Sequence, residues 1–394
     1  SSTKYNPLKS VTFPSTLKKI GTKAFSHAGS LTNVTLPASL DSIGEEAFES
    51  VGISELELPA NLKYIGAYAF RNTDLTSIEI PDAIESIGKY CFYNCTSLST
   101  VKFPAGLKKI GSYAFYNNPL TELDLSSYTQ LQSIGSNTFD RCSNLSTVKF
   151  PASLQSIGAY AFNYCNKIAP EFAEGSSLKS IGAYAFYSCS EMTSISIPES
   201  VEEIGQRAFA SCRKLTTANI PTSFKEIPAG LFSSCSELTG ITIPASVQSI
   251  GESAFYDCNI QELDLSSLTQ LKTIGPSAFQ SNNNLGTVKF PASLQSIGDD
   301  AFMYCYKIAP EFAEGSILKS IGVRAFYNCY DMTSISIPNS VEEIGGSAFQ
   351  ACSKLATANI PTSLKAIPDA LFADCPELTD VAIPASVQSI GAGA

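Results

Sequence analysis

The 394-residue sequence predicts an α/β repeat solenoid, a right-handed superhelix with a curved parallel β-sheet on one side and short helical or 3₁₀ turns on the other. Three observations predict it. A marker phenylalanine recurs sixteen times, from Phe25, Phe48 and Phe70 to Phe372, always 22, 23 or 24 residues after the one before. Each interval repeats one apolar spacing. Each also carries one turn phrase, as in ASLQSIGAYAFNYC at 152–165 and ASLQSIGDDAFMYC at 292–305. A unit this short cannot bury its apolar face alone, so successive units must stack.

The elements follow in order along LTTANIPTSFKEIPAGLFSSC. Leu215, Ala218 and Ile220 keep an L-x-x-L-x-L spacing, and Ala218 and Ile220 alternate across Asn219 as a half-buried strand does. Pro221 ends the strand because it has no N–H to donate to a ladder. Phe224 and Ile227 continue the core. Leu231, Phe232 and Cys235 fall at i, i+1 and i+4, which predicts one face of a short helical turn. The column opening that turn is glycine in most units (Gly158, Gly205) but Pro228 and Pro368 in two. Proline holds φ near −65°, so the column does not require a positive φ. Intervals of 24 residues occur where the strand-ending proline is replaced, by Ser126, Glu174, Ser266 and Glu314, and the added residue is expected to make the turn.

A longer period lies on top: 147–158 returns at 287–298 and KIAPEFAEGS at 167–176 returns at 307–316, a shift of 140 residues. The organisation expected is one array over 1–394, of about 17 units, with a duplicated block at 115–254 and 255–394. Parallel strands spaced about 4.8 Å apart make its sheet on the order of 80 Å long.

Composition narrows the function. Net charge is −10, which opposes general binding to nucleic acid. No run of about 18 apolar residues exists to span a membrane. The start, SSTKYNPLKS, lacks the regions of a signal peptide. The chain begins at the end of one unit and stops inside another at SIGAGA, which suggests a piece of a longer protein, since solenoid ends need polar caps. Three sequons, Asn33, Asn94 and Asn144, are what chance supplies in a chain rich in Ser and Thr.

Of the 12 cysteines, 11 stand three residues after a marker phenylalanine, from Cys95 to Cys375. They read as a ladder of small core residues. Rungs point the same way, which disfavours disulfides between them, and only Cys91 and Cys95 come near a zinc-like spacing. His27 is the only histidine, so no catalytic triad using histidine and no multi-histidine metal site extends beyond it. No cofactor is implied.

LTSIEIPDAIESIGKYCFYNC and MTSISIPESVEEIGQRAFASC resemble the BspA-like leucine-rich repeat family of bacterial surfaces and some protist surface proteins. The I-x-I-P, I-G-x-x-A-F and trailing Cys pattern covers essentially the whole chain. The resemblance implies an extracellular or cell-surface, non-enzymatic adhesion or recognition module with a protein partner, either a matrix or a cell-surface protein, or a glycan. A structural spacer displaying another domain and a carbohydrate-active surface protein are the alternatives.

Alternation assigns the sheet face. Outward positions are Asn33 and Thr35, Glu55 and Glu57, Ser77 and Glu79, Thr100 and Lys102, Glu122 and Asp124, then Thr147 and Lys149. Ser194 and Ser196, Thr217 and Asn219, Glu262 and Asp264, and Thr287 and Lys289 follow. Glu55 and Glu57 lie about 6.5–7 Å apart on such a face. That overlaps a glycosidase pair, but it also describes any two acids on a strand. The ligand-binding candidates are Glu55, Glu57, Glu79, Lys102, Asp124, Lys149, Asp264 and Lys289, together with Phe172 and Phe312. In KIAPEFAEGS the strand count points Phe172 outward, as an aromatic anchor, or inward after a one-residue slip that reverses every side chain. Tyrosines flank the marker column, at Tyr68, Tyr90, Tyr113, Tyr160 and Tyr184 before it, and at Tyr93, Tyr116, Tyr187, Tyr256 and Tyr327 after it. They cover the outer edge of the core or offer a surface for stacking carbohydrate.

Overall fold

The computed structural model describes residues 6–394, so the first five residues of the SSTKYNPLKS start lie outside it. The chain forms two compact units, one running to Met192 with Ser200–Gly205 added, the other made of Thr193–Glu199 and Gln206–Ala394. Both are parallel β-solenoids built from the same rung.

Each rung contributes to two ladders. In the first unit the expected ladder pairs Ser10–Thr12 with Asn33–Thr35, Ser77–Glu79 with Thr100–Lys102, and Glu122–Asp124 with Thr147–Phe150, which in turn pairs with Ala169–Phe172. A second ladder, absent from the sequence-based expectation, uses the two residues before the column glycine. Its six-stranded part in this unit includes Ser86–Ile87, Ser133–Ile134, Ser156–Ile157 and Glu203–Ile204. The second unit repeats both ladders, for example Thr287–Phe290 against Ala309–Phe312, and Ser249–Ile250 against Thr273–Ile274. Every pairing is parallel, and in the second ladder isoleucine meets isoleucine, as Ile134 meets Ile157.

The α part of the expected fold class is not present: no helix forms among the described residues. Around Phe70, Tyr68 and Asn72 have φ of 58° and 55°, and left-handed residues flank the marker two before and two after it in unit after unit. Their N–H groups turn toward the next rung instead of back along the chain. Tyr68, Phe70 and Asn72 donate to the carbonyls of Lys89, Cys91 and Tyr93 at 3.0, 2.9 and 2.9 Å. A helix sends its N–H groups to its own preceding turn. Here they join rungs, and successive β-turns replace the helical turn. A left-handed non-glycine residue costs about 1–2 kcal/mol, which the inter-rung bonds offset.

The marker phenylalanines form the axis of the core, buried from Phe48 to Phe349. In the first unit Phe92, Phe115, Phe139 and Phe162 stack at 5.3, 5.5 and 5.3 Å between centroids. The column glycine indeed keeps a negative φ at Gly158 and Gly205. Its role is close approach: a Cβ at Gly182 would lie 2.3 Å from the Ala159 nitrogen, and one at Gly158 2.5 Å from the Gly135 carbonyl carbon. Pro228 and Pro368 share the column with a Cβ of their own, and nothing in the structure explains how their rungs make room.

All twelve cysteines are thiols, eleven buried and Cys375 half-buried. They do more than fill space. The Cys165 Sγ donates to the carbonyl of Phe139, the marker one rung earlier, at 3.1 Å, and Cys142, Cys235 and Cys305 do the same to Phe115, Phe209 and Phe279. Of the cysteine-free rungs, two fill the column with the apolar Ala28 and Val51, and others carry a polar side chain. The Thr73 hydroxyl donates to the Phe70 carbonyl, and the Asn282 amide to the Phe255 carbonyl.

Candidate functional site

The exposed surface of the first ladder is the candidate interface, because alternation leaves one side chain in two outside the core. In the first unit Asn33, Thr35, Ser77, Glu79, Thr100, Lys102, Glu122 and Asp124 are exposed on strands whose central residues point inward. Glu55 and Glu57 are exposed as well. Their segment, however, belongs to no strand.

Several of the candidate charges hold one another. Lys102 Nζ lies 2.5 Å from Glu79 Oε1, and that carboxylate raises the lysine's pKa. Asp124 accepts hydrogen bonds from the Ser126 N–H at 3.0 Å and hydroxyl at 2.6 Å, which hold its pKa below the usual range, and Lys149 stands 3.6 Å away. Asp264 repeats this with Ser266 and, at 4.0 Å, Lys289. These aspartates therefore build the turn where proline is missing, as the 24-residue spacing predicted for Ser126 and Ser266.

The structure decides the orientation of Phe172 and Phe312. Val148 pairs with Pro170 and Phe150 with Phe172, so Phe172 lies on the inward side, half-buried, its ring stacked on Phe150 at 4.9 Å. Phe312 stacks on Phe290 at the same distance. The outward placement that made them face anchors is thereby corrected to the one-residue slip. Ala169 and Glu171 point out instead, which puts Glu171 in register with Lys149. The signal was present: Phe150 and Phe103 pack edge-on against the marker rings Phe162 and Phe115, and Phe172 continues that inner column. Asn219 also departs from the expected face. Its side chain is half-buried and spans the Ile197 backbone, accepting from the N–H at 2.6 Å and donating to the carbonyl at 2.8 Å.

From Tyr68 to Tyr116 the tyrosines line the turn edge with their ring faces turned on one another, whereas Tyr187 and Tyr327 meet Tyr164 and Tyr304 edge to face. Tyr68, Tyr90 and Tyr113 stack at 4.6 and 4.5 Å, and Tyr93 stacks on Tyr116 at 4.7 Å. Arg71 lies over both Tyr68 and Tyr93. Burial and neighbouring phenols raise the pKa of Tyr68 and Tyr113. The middle of such a stack has no free face for a sugar ring, which favours the covering role. Beside it runs an amide ladder that the sequence did not reveal: Asn94 donates to Asn72 at 3.1 Å, and Asn117 to Asn94 at 2.6 Å. The sequon asparagine Asn94 is thus engaged on both sides.

Two buried acids also escaped the sequence reading. Glu49 accepts from Arg71 at 3.1 Å, with the exposed His27 ring 3.9 Å away. Asp140 accepts from Asn137 at 2.9 Å and Asn163 at 3.0 Å, and burial raises its pKa. Among the described residues no three His, Cys, Asp or Glu side chains come together as a metal site, and no helix is long and apolar enough to cross a membrane.

Comparison with known proteins agrees with the repeat. The model of the BspA type leucine rich repeat region matches residues 3–73, 63–174, 170–285 and 272–394. A leucine-rich repeat protein from Bacteroides ovatus is 26% identical over 84% of this chain and 79% of that one, with a TM-score of 0.69. A leucine rich cell surface protein from Faecalibacterium prausnitzii is also 26% identical, over 67% of this chain and 83% of that one, at a TM-score of 0.38. The pneumococcal vaccine antigen PcpA is 17% identical over 98% and 84%, at 0.43. No curated protein sequence matches the chain.

Proposed function

The chain belongs to the BspA type leucine-rich repeat family, and from that premise we propose that it is a non-enzymatic recognition module, at a cell surface or secreted, that binds a protein through the exposed face of the first ladder. One observation carries the reading. The outward side chains Asn33, Thr35, Ser77, Glu79, Thr100, Lys102 and Glu122 form a mostly polar, exposed surface on strands tied to their neighbours in register. A rigid backbone that presents adaptable polar groups loses little conformational entropy on binding. One continuous array with a duplicated 140-residue block is part of the same proposal, since it would present the Asp124–Lys149 arrangement a second time at Asp264–Lys289.

The test is binding of the whole chain to an array of matrix and cell-surface proteins, repeated with Thr100→Arg/Glu122→Arg. Binding abolished in a variant that keeps its circular dichroism places the contact on this face. A parent chain that binds no protein on the array refutes the reading and favours a spacer.

A further inference from the structure

The first ladder is interrupted at the rung of Glu55 and Glu57, and the interruption is local to that face. On the other side of the same rungs, Ser42–Ile43 and Tyr64–Ile65 pair in register. The rungs are therefore in contact behind and open in front. At other rungs the residue closing the strand donates across the ladder: the Ile80 N–H reaches the Lys102 carbonyl and the Leu125 N–H the Lys149 carbonyl at 2.9 Å, and the Leu265 N–H reaches the Lys289 carbonyl at 3.0 Å. Among the described residues the equivalent N–H groups of Leu36 and Leu58 make no such bond, and the only backbone hydrogen bond to 54–58 is that of the Thr76 N–H with the Ser54 carbonyl. Grooves of about 450 and 800 Å³ lie on the two sides of the segment. Main-chain donors without a protein partner are left for water or a ligand.

The larger groove is lined by Glu55, Glu57, Glu79 and Asp82 against the single cation Lys102. That cation is already held by Glu79, and Asp82 accepts from the Ala105 N–H, whereas Glu55 and Glu57 have no ion-pair partner among the described residues. We propose that this crease docks an extended peptide segment of a partner protein, with lysine or arginine at alternate positions. Alternate side chains of an extended chain repeat about every 6.5–7 Å, the spacing of two acids placed like Glu55 and Glu57. Its main chain meets the open ladder groups, in the manner of strand addition. The inference rests on the recognition role proposed above and names the partner's chemistry.

The probe is a fluorescein-labelled, N-acetylated octapeptide of alternating lysine and threonine, followed by anisotropy with the whole chain at about 50 and 150 mM salt. Glu55→Gln/Glu57→Gln is expected to weaken binding about tenfold, as two exposed charge pairs do. Glu203→Gln/Glu226→Gln, which removes two exposed acids of the second ladder, leaves it within about twofold. A peptide N-methylated at alternate amides keeps its charge and also binds more weakly. Equal loss in both double variants overturns the inference in favour of unspecific charge attraction, as does an N-methylated peptide that binds unchanged, or no binding at all. Failure here is separable from failure of the wider reading. An array protein whose binding survives Glu55→Gln/Glu57→Gln but not Thr100→Arg/Glu122→Arg overturns the groove and leaves the face intact.

Discussion

Replacing Gly182 by alanine adds one methyl group where two rungs nearly touch. The new Cβ would lie 2.3 Å from the Ala159 nitrogen, 2.6 Å from the Gly158 carbonyl carbon and 2.7 Å from the Ala159 Cα. All three are backbone atoms, so no side chain can rotate away. To reach ordinary contact the rungs must part by about 1 Å, against carbon contacts of about 3.5–4 Å. That strains the Gly182 N–H bond to the Ile157 carbonyl at 2.8 Å and the Phe162–Phe186 stack at 5.3 Å. Overpacking costs about 1–3 kcal/mol, and with backbone on the other side the upper end applies. Gly21 is the control in the same column, with no atom within 4 Å of its added Cβ and no positive φ. There alanine stabilises by about 0.4–1 kcal/mol through the unfolded chain. Arrays need not unfold in one step, so amide hydrogen exchange in the adjoining rungs is the assay. A loss of about 3 kcal/mol speeds exchange of the Gly182 and Phe162 amides about 150-fold. Exchange within threefold of the parent chain, or equal damage from Gly21→Ala, would refute close approach as the reason for glycine.

Phe172→Ser should destabilise the first unit by about 2 kcal/mol, roughly half the loss for a fully buried phenylalanine; unchanged hydrogen exchange around Phe150 would contradict the inward register. Thiol reactivity offers a second check. Burial pushes the Cys142 pKa up to about 12 and raises that of Cys165 well above the ordinary value, so at pH 8 about one Cys142 in ten thousand is thiolate. Maleimide labelling read by peptide mass spectrometry should leave both unmodified until urea is added, and native labelling at the rate of an unfolded cysteine would exclude the buried ladder. For Asp140 the folded pKa is raised, so between the unfolded value of 3.8 and that raised value the folded state holds more protons, and stability falls as pH rises through the window. Asp140→Asn should therefore flatten the pH dependence there and raise the melting temperature at pH 7. A steeper dependence, or a lower melting temperature at pH 7, would count against desolvation as the dominant cause.

Much of the rung was legible because alternation and spacing act within a few residues. Val34, Ile78 and Leu123 face inward and Thr35, Glu79 and Asp124 outward as the pattern requires, and the cysteine column is buried where spacing put it. The acids and lysines of the face were legible as exposed. The repeat spacing also sets Lys102 one rung from Glu79, but that the lysine closes on this acid at 2.5 Å is decided only when the two rungs stack. The crease at Glu55 was invisible for the opposite reason. ISELELP keeps the strand pattern, yet the ladder bonds that would make it a strand are not formed.

By itself, then, the sequence determined the repeat, the family and the columns that fill the core, since each follows from which residues recur at fixed distance along one chain. Tertiary structure alone decided three things. Residues such as Tyr68 and Asn72 became left-handed, because their N–H groups find acceptors only in the next rung. Phe172 turned inward, because the ring of Phe150 beside it sets the register. The sheet face opened at Glu55 and Glu57 while staying closed behind, because the hydrogen bonds that hold a parallel ladder belong to pairs of rungs and to neither rung alone.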